Sequence, residues 1–138
     1  MGAGRRGRVI HHVELWVPSL AEANRSWGWL LGQLGYELFQ DWPAGRSWKF
    51  GDTYIVFEQS PALTGTTHDR TTPGLNHLAL HAGSPESLDR LVEAAPGHGW
   101  RKLFDYPYPG NGAAYLVDTQ GYEVELVPSV DRDWSSTA

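Results

Sequence analysis

The chain has 138 residues, 11 of them basic and 16 acidic, for a formal net charge of −5 with neutral histidines. That length fits one domain, 1–138, with a real hydrophobic core, and the acidic balance argues against a nucleic-acid partner, which selects a basic face. There is no cysteine, so disulfides, a thiolate nucleophile and cysteine-type zinc sites are excluded. No apolar run approaches the roughly 20 residues of a bilayer span. The basic start with Arg5, Arg6 and Arg8 lacks the apolar stretch of a secretory signal, so the expectation is a cytoplasmic protein with no membrane partner.

In chain order, Val9 to Val17 alternates apolar and polar residues and reads as a strand. Ser19 is a helix cap with Glu22 three positions on. Leu20, Ala23, Trp27, Leu30, Leu31 and Leu34 carry helical spacing that Gly35 ends. Three strands are predicted at Tyr36–Trp42, Ser47–Phe50 and Thr53–Gln59, separated by the turn signals Pro43-Ala-Gly45 and Gly51-Asp52. Ser60 to Gly74 is a polar connection that includes His68-Asp69-Arg70, read as exposed. A strand is expected at Leu75–His81, then a helix capped by Ser84 with Pro85 at its first position and Pro96-Gly97 at its end. Strands at Trp100–Tyr106, Ala113–Val117 and Tyr122–Val127 follow, with Tyr106 to Gly112 forming a hairpin or lid.

The order β-α-β-β-β therefore occurs twice, as a module at about 9–60 and another at about 74–128, joined by a linker at 61–73. Residues repeat as well as elements. His12 and His77 lie 65 positions apart, and the segments Glu58-Gln-Ser-Pro61 and Glu125-Leu-Val-Pro128 lie 67 apart. Two copies are too few for a solenoid. The fold class is α+β.

Each half has one histidine at its first strand and one glutamate in its last. Strand parity places His12, Glu14 and Trp16 on one face, opposite Val13, Leu15 and Val17. His77 shares a face with Ala79 and His81, and Glu125 with Glu123. Two imidazoles and two carboxylates make a mixed nitrogen and oxygen donor set, suited to one divalent ion such as Zn, Ni, Fe, Mn or Co, with positions left for substrate. Such an ion polarises a carbonyl oxygen, and a carboxylate beside it can serve as general base.

Three segments carry a resemblance: His12-Val-Glu-Leu-Trp-Val-Pro-Ser-Leu20, His77-Leu-Ala-Leu80 and Asp118-Thr-Gln-Gly-Tyr-Glu-Val-Glu-Leu126. Together they resemble the vicinal oxygen chelate superfamily, which includes glyoxalase I, extradiol dioxygenases, fosfomycin-resistance enzymes and bleomycin-binding proteins. The resemblance implies two βαβββ modules forming a cup-shaped mixed sheet, metal ligands at His12, Glu58, His77 and Glu125, and a homodimer. Whether the site lies within one chain or across two is left open. It further implies a base at Glu125, or else at Glu58. A carboxylate at position 58 matches glyoxalase I, whereas dioxygenases and fosfomycin enzymes use two histidines and one glutamate. Short bacterial glyoxalases carry an Arg where this chain has Trp16, so glutathione does not follow as the substrate.

Seven tryptophans and six tyrosines are many for this length. Trp27 is expected in the core. Trp16, Trp42, Trp48, Tyr54 and Tyr115, with Glu14 and His81, are expected around a pocket for a small-molecule substrate or drug-like ligand. His11 is expected to point away from His12, and His98 to sit in a turn. The leading function is a metal-dependent isomerase or lyase. The alternatives are an Fe(II) extradiol-type dioxygenase and a non-enzymatic antibiotic-binding resistance protein.

Overall fold

The computed structural model describes residues 7–104 and 112–129. The expected lid at 106–111 with Tyr106 and Tyr108, the tail residues Arg5 and Arg6, and Trp134 lie outside the described residues. The chain divides into two compact units, Met1–Thr67 and His68–Ala138, so the division falls inside the expected linker.

The first unit contains β1 (His12–Trp16), α1 (Leu20–Ala23), a π-helical turn (Asn24–Gly28), α2 (Trp29–Gln33), β2 (Glu37–Trp42), β3 (Gly45–Phe50) and β4 (Thr53–Glu58). Its sheet runs β1-β4-β3-β2, with β1 parallel to β4 and the other pairs antiparallel. The second unit contains β5 (Leu78–His81), α3 (Pro85–Ala94), a 3-10 turn (Ala95–His98), β6 (Trp100–Lys102), β7 (Ala114–Asp118) and β8 (Glu123–Val127). Its sheet runs β5-β8-β7-β6, with β5 parallel to β8. Two βαβββ modules, each with a four-stranded mixed sheet, are thus present.

The helix starts follow from their caps. The Ser19 hydroxyl accepts from the Glu22 N–H at 3.2 Å, and the Ser84 hydroxyl accepts from the Ser87 N–H at 3.1 Å. Each satisfies one of the donors left unpaired at a helix N-terminus. The first helical segment ends at Gly35, whose φ of 95° is open to glycine and costly for other residues. The expected uninterrupted helix is instead broken by the π turn, inside which the buried Ser26 hydroxyl donates to the Glu22 carbonyl at 3.0 Å.

β5 begins three residues later than the sequence predicts. The reason lies in the preceding loop. The Leu75 carbonyl accepts from the His68 ring at 2.9 Å, and the Asn76 side-chain amide donates to the Arg70 carbonyl at 3.0 Å. These bonds tie 75–77 to the loop, leaving His77 just ahead of the strand.

Alternation along the strands sorts the faces. In the first unit, Leu15, Val17, Trp48, Ile55 and Phe57 are buried together with Trp27, Leu30 and Leu31 of the helical layer. Trp27 lies with its ring centroid 5.2 Å from that of Phe57, and Trp48 meets Phe57 edge-on at 5.8 Å. In the second unit, Leu88 and Leu91 of α3 are buried with Trp100, Leu116, Val124 and Leu126. Full burial of a Leu or Phe side chain contributes about 1.5–3 kcal/mol. Trp48 was expected at the pocket wall. It lies instead in the core, because it pairs with Ile55 across β3 and β4 and its ring reaches Gly28 of the helical layer.

Gly45 opens β3 directly beneath the Trp42 ring. A Cβ there would fall 2.8 Å from the Phe57 carbonyl oxygen, a backbone atom that cannot step aside. Gly45→Ala should therefore lower stability by about 1–3 kcal/mol, the usual range for overpacking. Urea denaturation of the two proteins checks this, and an unchanged midpoint would show that the sheet yields at this corner.

Candidate functional site

In the second unit, β8 turns Glu123 and Glu125 to one face, and the end of the linker delivers His77 to the same face. The His77 Nε2 lies 3.0 Å from Glu125 Oε1, with side chains 30% and 20% exposed. This is a hydrogen bond between the imidazole and the carboxylate, and its length also matches the roughly 3 Å between donors that share one ion at about 2.0–2.2 Å. Tyr115, opposite Glu125 on β7, meets the His77 ring edge-on at 5.8 Å, and Phe104 meets Tyr115 at 5.5 Å. His81 pairs with Val127 and is exposed at the far end of β5.

The loop before β5 is bound to this unit. His68 stacks on Tyr122 with centroids 4.5 Å apart and rings 9° from parallel. The Asp69 carboxylate accepts from the Thr71 hydroxyl and N–H at 2.6 and 2.9 Å, and these bonds hold its pKa below the ordinary value, the hydroxyl bond contributing most. Arg70 places Nε 3.2 Å from Oε1 of Glu123, whose side chain is 3% exposed. That approach is a charge contact too poorly angled for a hydrogen bond, so Oε1 has no hydrogen-bond donor among the described residues. The expectation that His68-Asp69-Arg70 is exposed holds for Asp69 only; His68 and Arg70 are half-buried.

In the first unit, His12 pairs with Tyr54 across β1 and β4, and the two rings stack at 4.7 Å. His11 does not point away: its Nδ1 lies 2.9 Å from His12 Nδ1. The Trp16 indole N–H donates to Glu14 at 2.9 Å. A hydrogen bond with Glu14 is the main cause that raises the Glu58 pKa, with desolvation and the Glu14 charge adding to it. Trp42 covers Gly45, which is the partner of Glu58 on β3.

The register separates His12 from Glu58. Glu58 lies opposite Trp16, four residues along the parallel pair from His12, or about 13 Å at roughly 3.3 Å per residue. In the second unit Glu125 lies opposite Ala79, two residues past His77. The matching place, two residues past His12, is opposite Glu14 and is occupied by Val56. Glu58 keeps the face of that position but stands two residues further along the strand. Among the described residues, no group of three or more His, Cys, Asp or Glu side chains is gathered to hold a metal ion.

Asn76 and Arg70 belong to the site; Asn76 did not stand out in the sequence, and Arg70 is noted there only within an exposed loop. Asn76 could have been found by its place directly before a candidate ligand. The pairing of Arg70 with Glu123 spans 53 positions and leaves no local signal.

Two predictions follow from these charges. Glu58 has a raised folded pKa, so its favourable bond to Glu14 is present below the unfolded carboxylate pKa and is lost as pH rises through the folded one. Glu58→Gln should raise the melting temperature at pH 7 and have little effect near pH 4; equal effects at both would refute the shared proton. Arg70→Ala strips the buried Glu123 of its partner and should cost about 1–3 kcal/mol. Adding Glu123→Met should restore most of that loss in a denaturation cycle, because an apolar replacement leaves no charge to desolvate.

The sequence profile of the glyoxalase/bleomycin resistance protein/dioxygenase superfamily matches residues 11–117. The protein YqjT of Bacillus subtilis (strain 168), itself uncharacterized, is 40% identical over 125 residues, covering 86% of this chain and 97% of YqjT. The crystal structure of a candidate glyoxalase from Bacillus halodurans superposes with a TM-score of 0.82 at 38% identity, covering 88% of this chain and 96% of that one. A glyoxalase/bleomycin resistance protein from Albidiferax ferrireducens T118 shares the fold at 20% identity, with a TM-score of 0.68 over 87% of this chain and 98% of its own. No helix among the described residues is long and apolar enough to cross a membrane. The chain belongs to the glyoxalase/bleomycin resistance protein/dioxygenase superfamily.

Proposed function

We propose that the protein is a divalent-metal-dependent enzyme, an isomerase or lyase acting on a small oxygenated substrate, with His77 and Glu125 as ligands and Glu125 as general base. The observation that carries this reading is the 3.0 Å approach of His77 Nε2 to Glu125 Oε1. The imidazole nitrogen and the carboxylate oxygen meet at hydrogen-bond distance, and a divalent ion bound between them would take the place of the proton they hold. When bound, the ion would supply Lewis acidity toward adjacent oxygen atoms of the substrate. Glu125 would then take and return a proton within reach of its second oxygen. Tyr115 and Phe104 would wall the site and limit water. Assembly as a homodimer remains part of the proposal through the resemblance, and a cytoplasmic location through the sequence reading alone.

A second reading draws support from Val56. With an apolar side chain at the place matching Glu125, the ligand set implied by the resemblance reduces to His12, His77 and Glu125. Two histidines and one carboxylate suit Fe(II) and leave positions open for oxygen and a catechol. Glu58, beside Glu14, would then serve as a polar wall of the pocket instead of a ligand.

Calorimetric titration with Zn(II), Mn(II), Co(II), Ni(II) and Fe(II) tests both readings. One ion per chain is expected. His77→Ala or Glu125→Gln should weaken binding by more than about 100-fold, beyond the roughly 10–100-fold effects of outer-sphere changes. Ring cleavage of a catechol by the Fe(II) form in air would select the second reading. A protein that binds none of these ions, yet whose tryptophan fluorescence is quenched by aromatic antibiotics, would overturn both and leave the non-enzymatic binder.

A further inference from the structure

Arg70 is tied to the candidate site at both ends. Its carbonyl accepts from Asn76 Nδ2 at 3.0 Å, and Asn76 Oδ1 lies 2.7 Å from His77 Nδ1. At the other end, its Nε stands 3.2 Å from Oε1 of the buried Glu123. Leu78 pairs with Val124, so His77, one position earlier, comes level with Glu123. Glu125 follows on the same face, about 7 Å along the strand. A backbone contact and a charge contact therefore hold the guanidinium beside the His77–Glu125 pair.

A guanidinium carries five N–H donors in a planar fork. Arg70 makes no hydrogen bond through them to any of the described residues. Glu123 is approached at Nε and is too poorly aligned to saturate the group, which leaves the two terminal nitrogens for another acceptor. The neighbouring Asp69 carboxylate is spent on the Thr71 hydroxyl and N–H. The Arg70 side chain is 36% exposed, so a solute can reach it, while Glu123 supplies the counter-charge that keeps it in place. Such a fork matches a carboxylate, whose two oxygens accept two parallel N–H bonds. Those bonds take up about 3 Å, leaving room for only a short carbon skeleton before the His77–Glu125 pair.

We propose that Arg70 is a specificity-determining residue that receives the carboxylate of a short 2-oxo or 2-hydroxy acid, with the neighbouring oxygen at His77 and Glu125. The place of that oxygen rests on the function proposed above; the preference of Arg70 for a carboxylate does not. Pyruvate and hydroxyacetone are matched probes that differ by exchange of a carboxylate for a hydroxymethyl group. Each is titrated into metal-free protein while the guanidinium signals of Arg70 are followed by nitrogen-15 spectroscopy. Pyruvate should bind at least about 10-fold more tightly, the low end for charge-assisted hydrogen bonds, and should shift the Arg70 signals. Hydroxyacetone should leave them in place. Arg70→Lys keeps a charge beside Glu123 but lacks the fork, and should narrow the preference several-fold. Arg70→Gln combined with Glu123→Gln removes both charges together and should abolish it. Absence of the preference in the wild type, or pyruvate binding with unmoved Arg70 signals, would overturn the proposal even if neither variant folds. So would a preference that survives in the double variant. If the preference holds but zinc does not bind the wild type, the metal reading fails and the carboxylate subsite stands. If zinc binds and pyruvate is not preferred, the subsite alone fails.

Discussion

The parallel pairing of the first and last strands of each module is the constraint on which the site depends. A helical crossover and two antiparallel returns bring the fourth strand back beside the first, and the lengths of those connections set where its residues land. Partners are 42 positions apart in the first unit, where His12 faces Tyr54, and 46 apart in the second, where Leu78 faces Val124. Because side chains alternate, the even difference preserves which residues face which side. It changes how far along the strand each carboxylate falls. Glu125 comes to lie against an imidazole, while Glu58 lands beside Glu14, whose hydrogen bond and charge raise its pKa.

Much of the architecture was legible in the residues because it rests on local signals. Serine caps, glycine stops and apolar alternation gave both βαβββ modules, all eight strands and the helical segments nearly in place. The faces of β1 and β4 were equally readable, since parity survives errors of position. Register was not legible. The repeated Glu-x-x-Pro suggested that Glu58 and Glu125 are equivalent, but strand pairing is set by connections whose geometry no short motif encodes. Trp48 lies in the core and not at a pocket wall for a related reason: β3 starts two residues earlier than its turn signals suggest, and nothing local says which face a lone aromatic takes. The late start of β5 likewise depends on the His68 ring and the Asn76 amide, both anchored to distant groups.

The second unit concentrates its polar chemistry within one stretch of linker and one strand. His68, Asp69 and Arg70 make bonds that order the loop, and Asn76 converts that order into the orientation of one imidazole. Glu123 is the costly member, a buried carboxylate tolerated because Arg70 stands beside it. The same strand thus carries one acid that anchors the loop and a second that meets His77, and the loop and ligand geometry are built from neighbouring residues of β8.

The outer margin of the first sheet has a different consequence. Among the described residues β2 borders β3 alone and exposes Leu38 and Phe39, a combination that invites another chain to add a strand and propagate into fibres. The irregular pairing between Leu38 and Gln40 disrupts that template. It is held by the buried Ser47 hydroxyl, which accepts from the Gln40 N–H and donates to its side-chain oxygen. Lys49 lies over the Phe39 ring at 4.4 Å and brings a charge to the same rim. A single small hydroxyl inside the sheet therefore helps keep the molecule from templating aggregation along that border.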